Sequence, residues 1–576
     1  MTTVKKIHHR LLRTERNKIS LQKSQVAAHA KKKDPTTGIP PKLWGHLIPP
    51  MPVVTSTIYR HYAKGPPAKS WSLTFDLAIA IISDLLKRSS SKTVEDLQRL
   101  STIKGTPVPS DMKRRKVIVP NDYRVRAGNH LGCLFNAQDE HVIGWDWKND
   151  KKRAKELKGE WMTPKKAIKN DDHGTSNVGN NNNKSVLPLK NKRTIFYLHG
   201  GAYYLGSYGL YRNLSARLAK LSDAQVFAIN YRLAPQHPFP VAVEDALAAY
   251  LYMVDPPEGI EPIDPESIVV AGDSAGGGLT FSLLLALRDA GLPLPGGAMT
   301  LSPWVDLTHS LESIVTNIST DYLPSTGFKH APSEAQDYTL LPPLKNTSAH
   351  ENIIESSFGN DMDRFQFYAD NKALKHPLVS PVFDKKNLQG LPKLLIQTGT
   401  AERLHDEAIY AALLASDTCS SFTCNTKKQV RGDDGIKDHN DEQQQSLKPT
   451  NVRLEMYVDQ PHVFQIILPT RASTTAIKRL ANFVRDATPE SPLVTKEGDD
   501  DNNNKKETTQ QGIQIHTVSP RGDVTDTKQK LLSSFQDGTK WDDWQERLAR
   551  NSLSERLKLV EAAVNQLKTH HQQHGV

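Results

Sequence analysis

Residues 267–277 read Ser267-Ile268-Val269-Val270-Ala271-Gly272-Asp273-Ser274-Ala275-Gly276-Gly277, and a helix-like run follows from Gly277 to Ala290. Five residues rich in β-branched side chains predict a buried strand. The glycines at 272, 276 and 277 leave room for a sharp turn. A helix beginning directly after the turn would set Ser274 at its N-terminus, where the peptide dipoles favour developing negative charge. This strand–turn–helix with G-x-S-x-G is the local setting of a nucleophilic serine. The competing reading, a glycine-rich phosphate turn, lacks the lysine of a P-loop and the spacing of a dinucleotide fingerprint.

Outward from this turn, short apolar runs alternate with helical patterns. Strands are predicted over Thr194–Leu198, Val226–Asn230, Ser267–Ala271, Ala298–Leu301, Lys393–Thr398 and Arg453–Val458. Helices are predicted over Leu210–Leu221, Val241–Val254, Gly277–Ala290, Asp406–Ala415 and Ala472–Arg485. Such alternation calls for an α/β fold, a mostly parallel sheet with helices on both faces. The core of this domain falls in two blocks, 191–305 and 376–485.

Three further loops carry chemistry. His199-Gly200-Gly201-Ala202 follows the first of these strands, and its glycines let backbone N–H groups converge on an oxyanion, with the N–H of Ala275 as a further donor. Gly200, Gly201 and Ala275 are the expected donors, and His199 reads as structural. His462 lies in the loop after the last strand, where a general base should follow the serine in chain order. The acid should sit on the loop after Lys393–Thr398: Glu402 is in that loop, and Asp406, at the start of the next helix, is the alternative. Tyr203, Tyr204, Trp304 and Phe464 flank these motifs and are candidates for an apolar pocket; core packing explains them equally well.

The remainder of the chain is less apolar. Of 576 residues 37% are hydrophobic, against about 45–50% for globular chains when glycine is also counted, and the mean hydropathy is −0.52. The excess polarity is placed in tails and insertions. Residues 1–50 read as a disordered basic tail, 51–170 as an N-terminal helical cap region, and 171–190 as a low-complexity loop. A cap insertion is expected over 306–375 and a polar loop over 419–450. A disordered tail ending in an amphipathic helix (Leu553, Leu557, Val560, Val564, Leu567) is expected over 486–576.

The net charge of +11 is largely local, and no basic patch interleaves with aromatics, so nucleic acid is not an expected partner. Three cysteines, Cys133, Cys419 and Cys424, build no disulfide framework and lack the second ligand pair of a zinc site. No metal and no organic cofactor is expected. Without an apolar leader or a long uncharged run, neither a signal peptide nor a membrane span is expected. An intracellular protein follows, cytoplasmic or peripheral at an internal membrane. The Leu73–Leu86 stretch could lie on a membrane or lipid-droplet surface, or simply pack as an amphipathic helix.

These motifs resemble the hormone-sensitive lipase-like esterases, the α/β-hydrolase fold-3 group. The resemblance rests on His199-Gly200-Gly201-Ala202, Tyr231-Arg232-Leu233-Ala234-Pro235, Gly272 through Gly277, Leu404-His405-Asp406-Glu407 and Pro461-His462-Val463-Phe464. It covers 190–305 and 376–485 well; from Pro66 to Trp161 the chain resembles fungal members more loosely. The resemblance implies an α/β-hydrolase fold and a carboxylic ester hydrolase acting on small, uncharged, hydrophobic esters. Glu402 stands where the family usually has Asp, and Gln236 where Glu often follows the Tyr-Arg-Leu-Ala-Pro run. The reading from a different class is a catalytically silent binding protein for a small molecule or a lipid surface; family members of that kind lose the histidine that this chain keeps as His462.

Overall fold

The computed structural model describes residues 51–103, 105–149, 156–171, 192–325, 328, 330–331, 366–422, 447–489, 512–550, 558–566 and 569. The expectations for 1–50, for nearly all of 171–190 and for the middle of 306–375 and 419–450 therefore lie outside the described residues. So do Cys424 and, in the terminal apolar series, Leu553, Leu557 and Leu567.

The sheet has ten strands among the described residues. They are β1 (Met112–Val119), β2 (Leu157–Pro164), β3 (Thr194–Leu198), β4 (Gln225–Asn230), β5 (Ile268–Asp273), β6 (Gly297–Leu301), β7 (Lys393–Gly399), β8 (Val452–Tyr457), β9 (Ile513–Val518) and β10 (Val524–Asp526). Their order across the sheet is β1-β2-β4-β3-β5-β6-β7-β8-β9-β10. From β4 to β9 every pairing is parallel; β1 with β2, β2 with β4 and β9 with β10 are antiparallel.

The six predicted strands are β3 to β8. They are long apolar runs because both faces of a parallel sheet are covered by helices. On one face Leu214 and Leu218 of the Arg212–Ser222 helix meet Ile477, Leu480 and Phe483 of the Arg471–Ala487 helix. On the other, the Val241–Val254, Ala275–Asp289 and His405–Ala415 helices join the main core.

Two domain expectations need correction. The region 51–170 is not only a helical cap. Its first half forms the Met51–Ala63, Leu73–Arg88 and Val94–Ile103 helices, but its second half supplies β1 and β2. β1 was hidden because it is an edge strand whose sequence, Met-Lys-Arg-Arg-Lys-Val-Ile-Val, is basic and largely solvent-facing. Such charge is how natural sheets blunt an open edge. Nor is 486–576 a disordered tail throughout. Ile513–Val518 pairs with β8, and the Thr539–Arg550 helix buries Trp541 and Trp544. The Trp541 ring stacks on Tyr410 at 4.6 Å between centroids. The helix is polar overall but buries Trp541, Trp544 and Leu548 along one face. Of the terminal series, Val560 and Val564 lie in a described helical stretch, with Val560 buried.

The Tyr231–Pro235 run holds the sheet's rim. The buried Arg232 guanidinium donates to Asp245 and Glu244, and Arg124 of the Asn121–Leu134 helix also donates to Asp245 at 2.7 Å. Tyr231 donates to the carbonyl of His199 at 2.7 Å. No described helix is long and apolar enough to cross a membrane.

Candidate active site

Ser274 sits where β5 breaks into the Ala275–Asp289 helix, with φ +51 and ψ −121. A non-glycine residue holds such a conformation only when its surroundings over-determine it. Here the Ser274 N–H donates to the Leu301 carbonyl and its own carbonyl accepts from Trp304 N–H, both at 2.9 Å. The turn is also packed too tightly for larger neighbours: a Cβ on Gly276 would lie 2.1 Å from the Leu198 carbonyl oxygen.

His462 arrives from the loop after β8, and its Nε2 stands 2.8 Å from Ser274 Oγ. Glu402 arrives from the loop after β7, with Oε2 at 4.0 Å from His462 Nδ1. These two loops come together because Gly399 has no side chain; a Cβ there would lie 2.0 Å from the Gln460 carbonyl oxygen. Three positions separated by 128 and 60 residues in sequence thus converge at one end of the sheet, in the order expected.

The third link is not a closed hydrogen bond. The Glu402 oxygens instead accept from Ser302 Oγ and Thr398 Oγ1, each at 2.5 Å, and His462 Nδ1 is buried without a hydrogen-bond partner among the described residues. Ser302 Oγ also accepts from Val463 N–H at 2.9 Å, tying the acid to the base loop. Burial pushes the Glu402 carboxyl up to about 8 against these two hydroxyl donors. Burial also drives the His462 imidazole down to about 3, so both groups favour their neutral forms at rest. The alternative acid, Asp406, is turned elsewhere: it accepts from Ser313 N–H at 2.8 Å.

The expected oxyanion donors are only partly available. Gly200 is corrected, because its N–H donates to Asp273 Oδ1 at 2.9 Å. Gly201 and Ala275 have no hydrogen-bond acceptor for their N–H groups among the described residues. Asp273, the second residue of the serine motif, is buried and also accepts from Tyr197 and Tyr211 hydroxyls at 2.7 and 2.9 Å. Desolvation raises its carboxyl to about 6, opposed by these donors. One side chain therefore pins the Gly200 loop to the serine turn. Asp273, Ser302 and Thr398 are functional neighbours that no catalytic motif marks as such; their positions beside Ser274, just after β6 and near the end of β7 are the signal the sequence carries for them. His199 stacks on Tyr231 at 4.3 Å, and burial lowers its imidazole to about 4.

Of the four pocket candidates, Tyr203 stacks on Tyr368 at 3.6 Å and lies 6.1 Å from the Trp304 ring. Tyr204 meets Phe328, His330 and Phe367. Phe464 does not belong with them. It packs on Tyr457 at 4.8 Å in a separate cluster with Ala472, Ala476 and Val518, because the left-handed Val463 that follows His462 turns the chain back toward the sheet.

A serine turn closing a parallel sheet, with a histidine and a carboxyl delivered by the following loops, defines an α/β hydrolase. Residues 195–329 match the model of a family described as alpha/beta hydrolase fold. The esterase LipU of Mycobacterium tuberculosis is 30% identical over 233 residues, which are 40% of this chain and 67% of that protein. The chain belongs to this family. An acetyl-hydrolase of Streptomyces hygroscopicus is 38% identical over 216 residues, 38% of this chain and 59% of that protein. An esterase of Acinetobacter venetianus is 31% identical over 219 residues, 37% of this chain and 58% of that protein. The chain thus spans less than two thirds of the length of these last two relatives.

Proposed function

We propose that this protein is a serine-dependent carboxylic ester hydrolase of the hormone-sensitive lipase-like type. The observation that carries the reading is the 2.8 Å approach of His462 Nε2 to Ser274 Oγ at the serine turn. Relatives named as esterases and an acetyl-hydrolase support the same reaction class.

In this mechanism the neutral His462 imidazole takes the Ser274 proton as Oγ attacks the ester carbonyl. The N–H groups of Gly201 and Ala275 receive the oxyanion; one such donor typically stabilises the transition state by about 3 kcal/mol. His462 then protonates the leaving alcohol, and water activated by His462 releases the acid from Ser274. Glu402, once ionised, holds the Nδ1–H tautomer and supports the imidazolium. The open Glu402–His462 gap fits a contact that tightens in the Michaelis complex, as such bonds commonly do. Tyr203, Tyr204 and Trp304 form the apolar side of the substrate site, which suits uncharged acyl groups.

The test is hydrolysis of p-nitrophenyl esters from acetate to palmitate. Measurable turnover with an optimum in the short-to-medium range is the expected result. A folded protein inactive on every ester would point instead to a silent binding protein.

We further propose that the protein works at a lipid surface. The solvent-facing residues of the Met51–Ala63 helix include Met51, Ile58, Tyr59 and Tyr62, and none of the exposed residues of that helix is charged. Exposed Lys64 and Lys69 follow, and residues 1–33 hold ten Lys or Arg against one acid. An apolar face with a basic segment gives the two signals that stable interfacial binding needs, and tyrosines favour the interface. The full chain is expected to sediment with phosphatidylserine-containing vesicles more than with neutral ones. Replacing Tyr59 and Tyr62 together by serine should cut the bound fraction about fivefold or more; equal sedimentation of the variant would sink the idea.

A further inference from the structure

Asp321 lies in the first part of the 306–375 insertion and is buried. Its carboxylate accepts three backbone N–H groups. Oδ2 takes Arg403 N–H at 2.7 Å, one residue beyond Glu402. Oδ1 takes Tyr322 N–H at 2.7 Å and His462 N–H at 3.4 Å. One side chain therefore joins the loop that carries the acid to the residue that serves as base.

The segment around it grips the acid loop alone. Asn317 Nδ2 donates to the Glu402 carbonyl at 2.8 Å, and Thr320 Oγ1 to the Ala401 carbonyl at 2.8 Å. The Arg403 guanidinium returns the grip, donating to the carbonyls of Ile314, Pro324 and Ser325 at 2.7, 2.8 and 3.3 Å. The result is a strap, residues 313–325, latched at both ends to the Glu402 loop. Along this strap Asp321 is the side chain that hydrogen-bonds to both loops. The Tyr322 ring next to it lies 6.0 Å from the imidazole and packs beside Trp71 and Phe75.

We propose that Asp321 is a positioning residue: by holding the backbone of His462 against that of Arg403, it sets the distance between the imidazole and Glu402. This rests on the Ser274–His462 reading above. The physical case is geometric. His462 Nδ1 already stands 4.0 Å from Glu402 Oε2, so small shifts of the base loop decide whether that hydrogen bond can close. The Glu402 carboxylate is anchored by Ser302 and Thr398, and the two loops are also tied at Ala401 N–H to the Gln460 carbonyl, Asp459 N–H to Thr400 Oγ1 and, through Ser302, Val463 N–H to Ser302 Oγ; at His462 itself the backbone N–H is held by Asp321. Converging backbone donors favour a carboxylate; asparagine keeps the shape but turns an NH₂ group toward one of those donors, leaving two donors face to face.

The experiment compares Asp321→Asn and Thr320→Val in the full chain, with kcat and KM on a p-nitrophenyl ester and the thermal midpoint of each. Thr320→Val loosens the same strap without touching His462, so it reports a merely structural contribution. Asp321→Asn is expected to lower kcat by about 10- to 100-fold, the usual consequence of a misplacement near 1 Å. Its KM should stay within about twofold, since substrate contacts are untouched. Thr320→Val should keep kcat within about threefold of wild type. If Asp321→Asn loses thermal stability like Thr320→Val but keeps wild-type kcat, the proposal is overturned and Asp321 only fastens the strap. A folded wild type without Ser274-dependent turnover would overturn the catalytic reading as well, and the two failures are told apart by wild-type activity.

Discussion

Ser274→Ala is expected to reduce kcat on p-nitrophenyl esters by about 10⁶-fold, the loss seen when a serine hydrolase loses its nucleophile. The turn itself should survive. Its constraints are backbone bonds, from Ser274 N–H to Leu301 and from Trp304 N–H to the Ser274 carbonyl, and alanine retains the Cβ that the turn already accommodates. The unfolding midpoint is therefore expected to stay near that of wild type, which separates lost chemistry from lost fold. A remnant of about 10³- to 10⁴-fold over the uncatalysed reaction should persist, because Gly201 and Ala275 still offer their N–H groups to the oxyanion. A variant that keeps a tenth or more of wild-type kcat would show that another group attacks the ester, and the assignment of Ser274 would fall.

Glu402→Gln should cost about 10⁴-fold in kcat at alkaline pH, as amide-for-carboxylate replacement does in serine triads. The pH dependence sharpens this. Burial raises the Glu402 carboxyl to about 8, and burial keeps His462 neutral down to about 3. Of the pair, the group that changes charge between pH 6 and 9 is thus Glu402, while Asp273 and Asp321, raised by burial to about 6, change charge at the lower edge of that range. Below its pKa it is protonated and cannot balance the imidazolium that forms on attack. Above it, the carboxylate can accept Nδ1–H. Wild-type kcat/KM is expected to climb through this range and level off above about pH 8, with the two groups titrating as a pair. Glu402→Gln should flatten that limb. Asp406→Asn is the control: Asp406 is spent on Ser313 N–H, so its loss should change kcat by about threefold at most. If Asp406→Asn costs more than Glu402→Gln, or if the limb persists without Glu402, the acid has been misassigned.

What was legible and what was not divide along the range of the forces involved. The strands β3 to β8, the serine turn and the order Ser274, Glu402, His462 could be read because each depends on signals within a few residues. Those signals are apolar runs for doubly covered strands, small residues for the turn, and loops that must follow their strands. Glu402 is preferred because it lies in the loop, with Asp406 at the helix start as the alternative, and in the structure Asp406 is bonded to Ser313 N–H instead. The Gly200 donor was misjudged for a reason no local pattern carries: its N–H is taken by Asp273, 73 residues away. Phe464 likewise follows His462 directly in sequence, yet its backbone turns the ring into a different cluster.

The chain's own sequence therefore determined the α/β architecture and singled out Ser274 and His462 as the candidate nucleophile and base, because burial periodicity and turn sterics are properties of short segments. Tertiary structure alone decided which backbone N–H groups remain free for an oxyanion. It alone brought Ser302, Thr398 and Asp321 around the acid and the base. It also recruited the basic β1 and the polar segment 513–550 into the fold. Each of these outcomes is a competition among hydrogen-bond and packing partners far apart in the chain, and that competition is settled only when the sheet has brought them together.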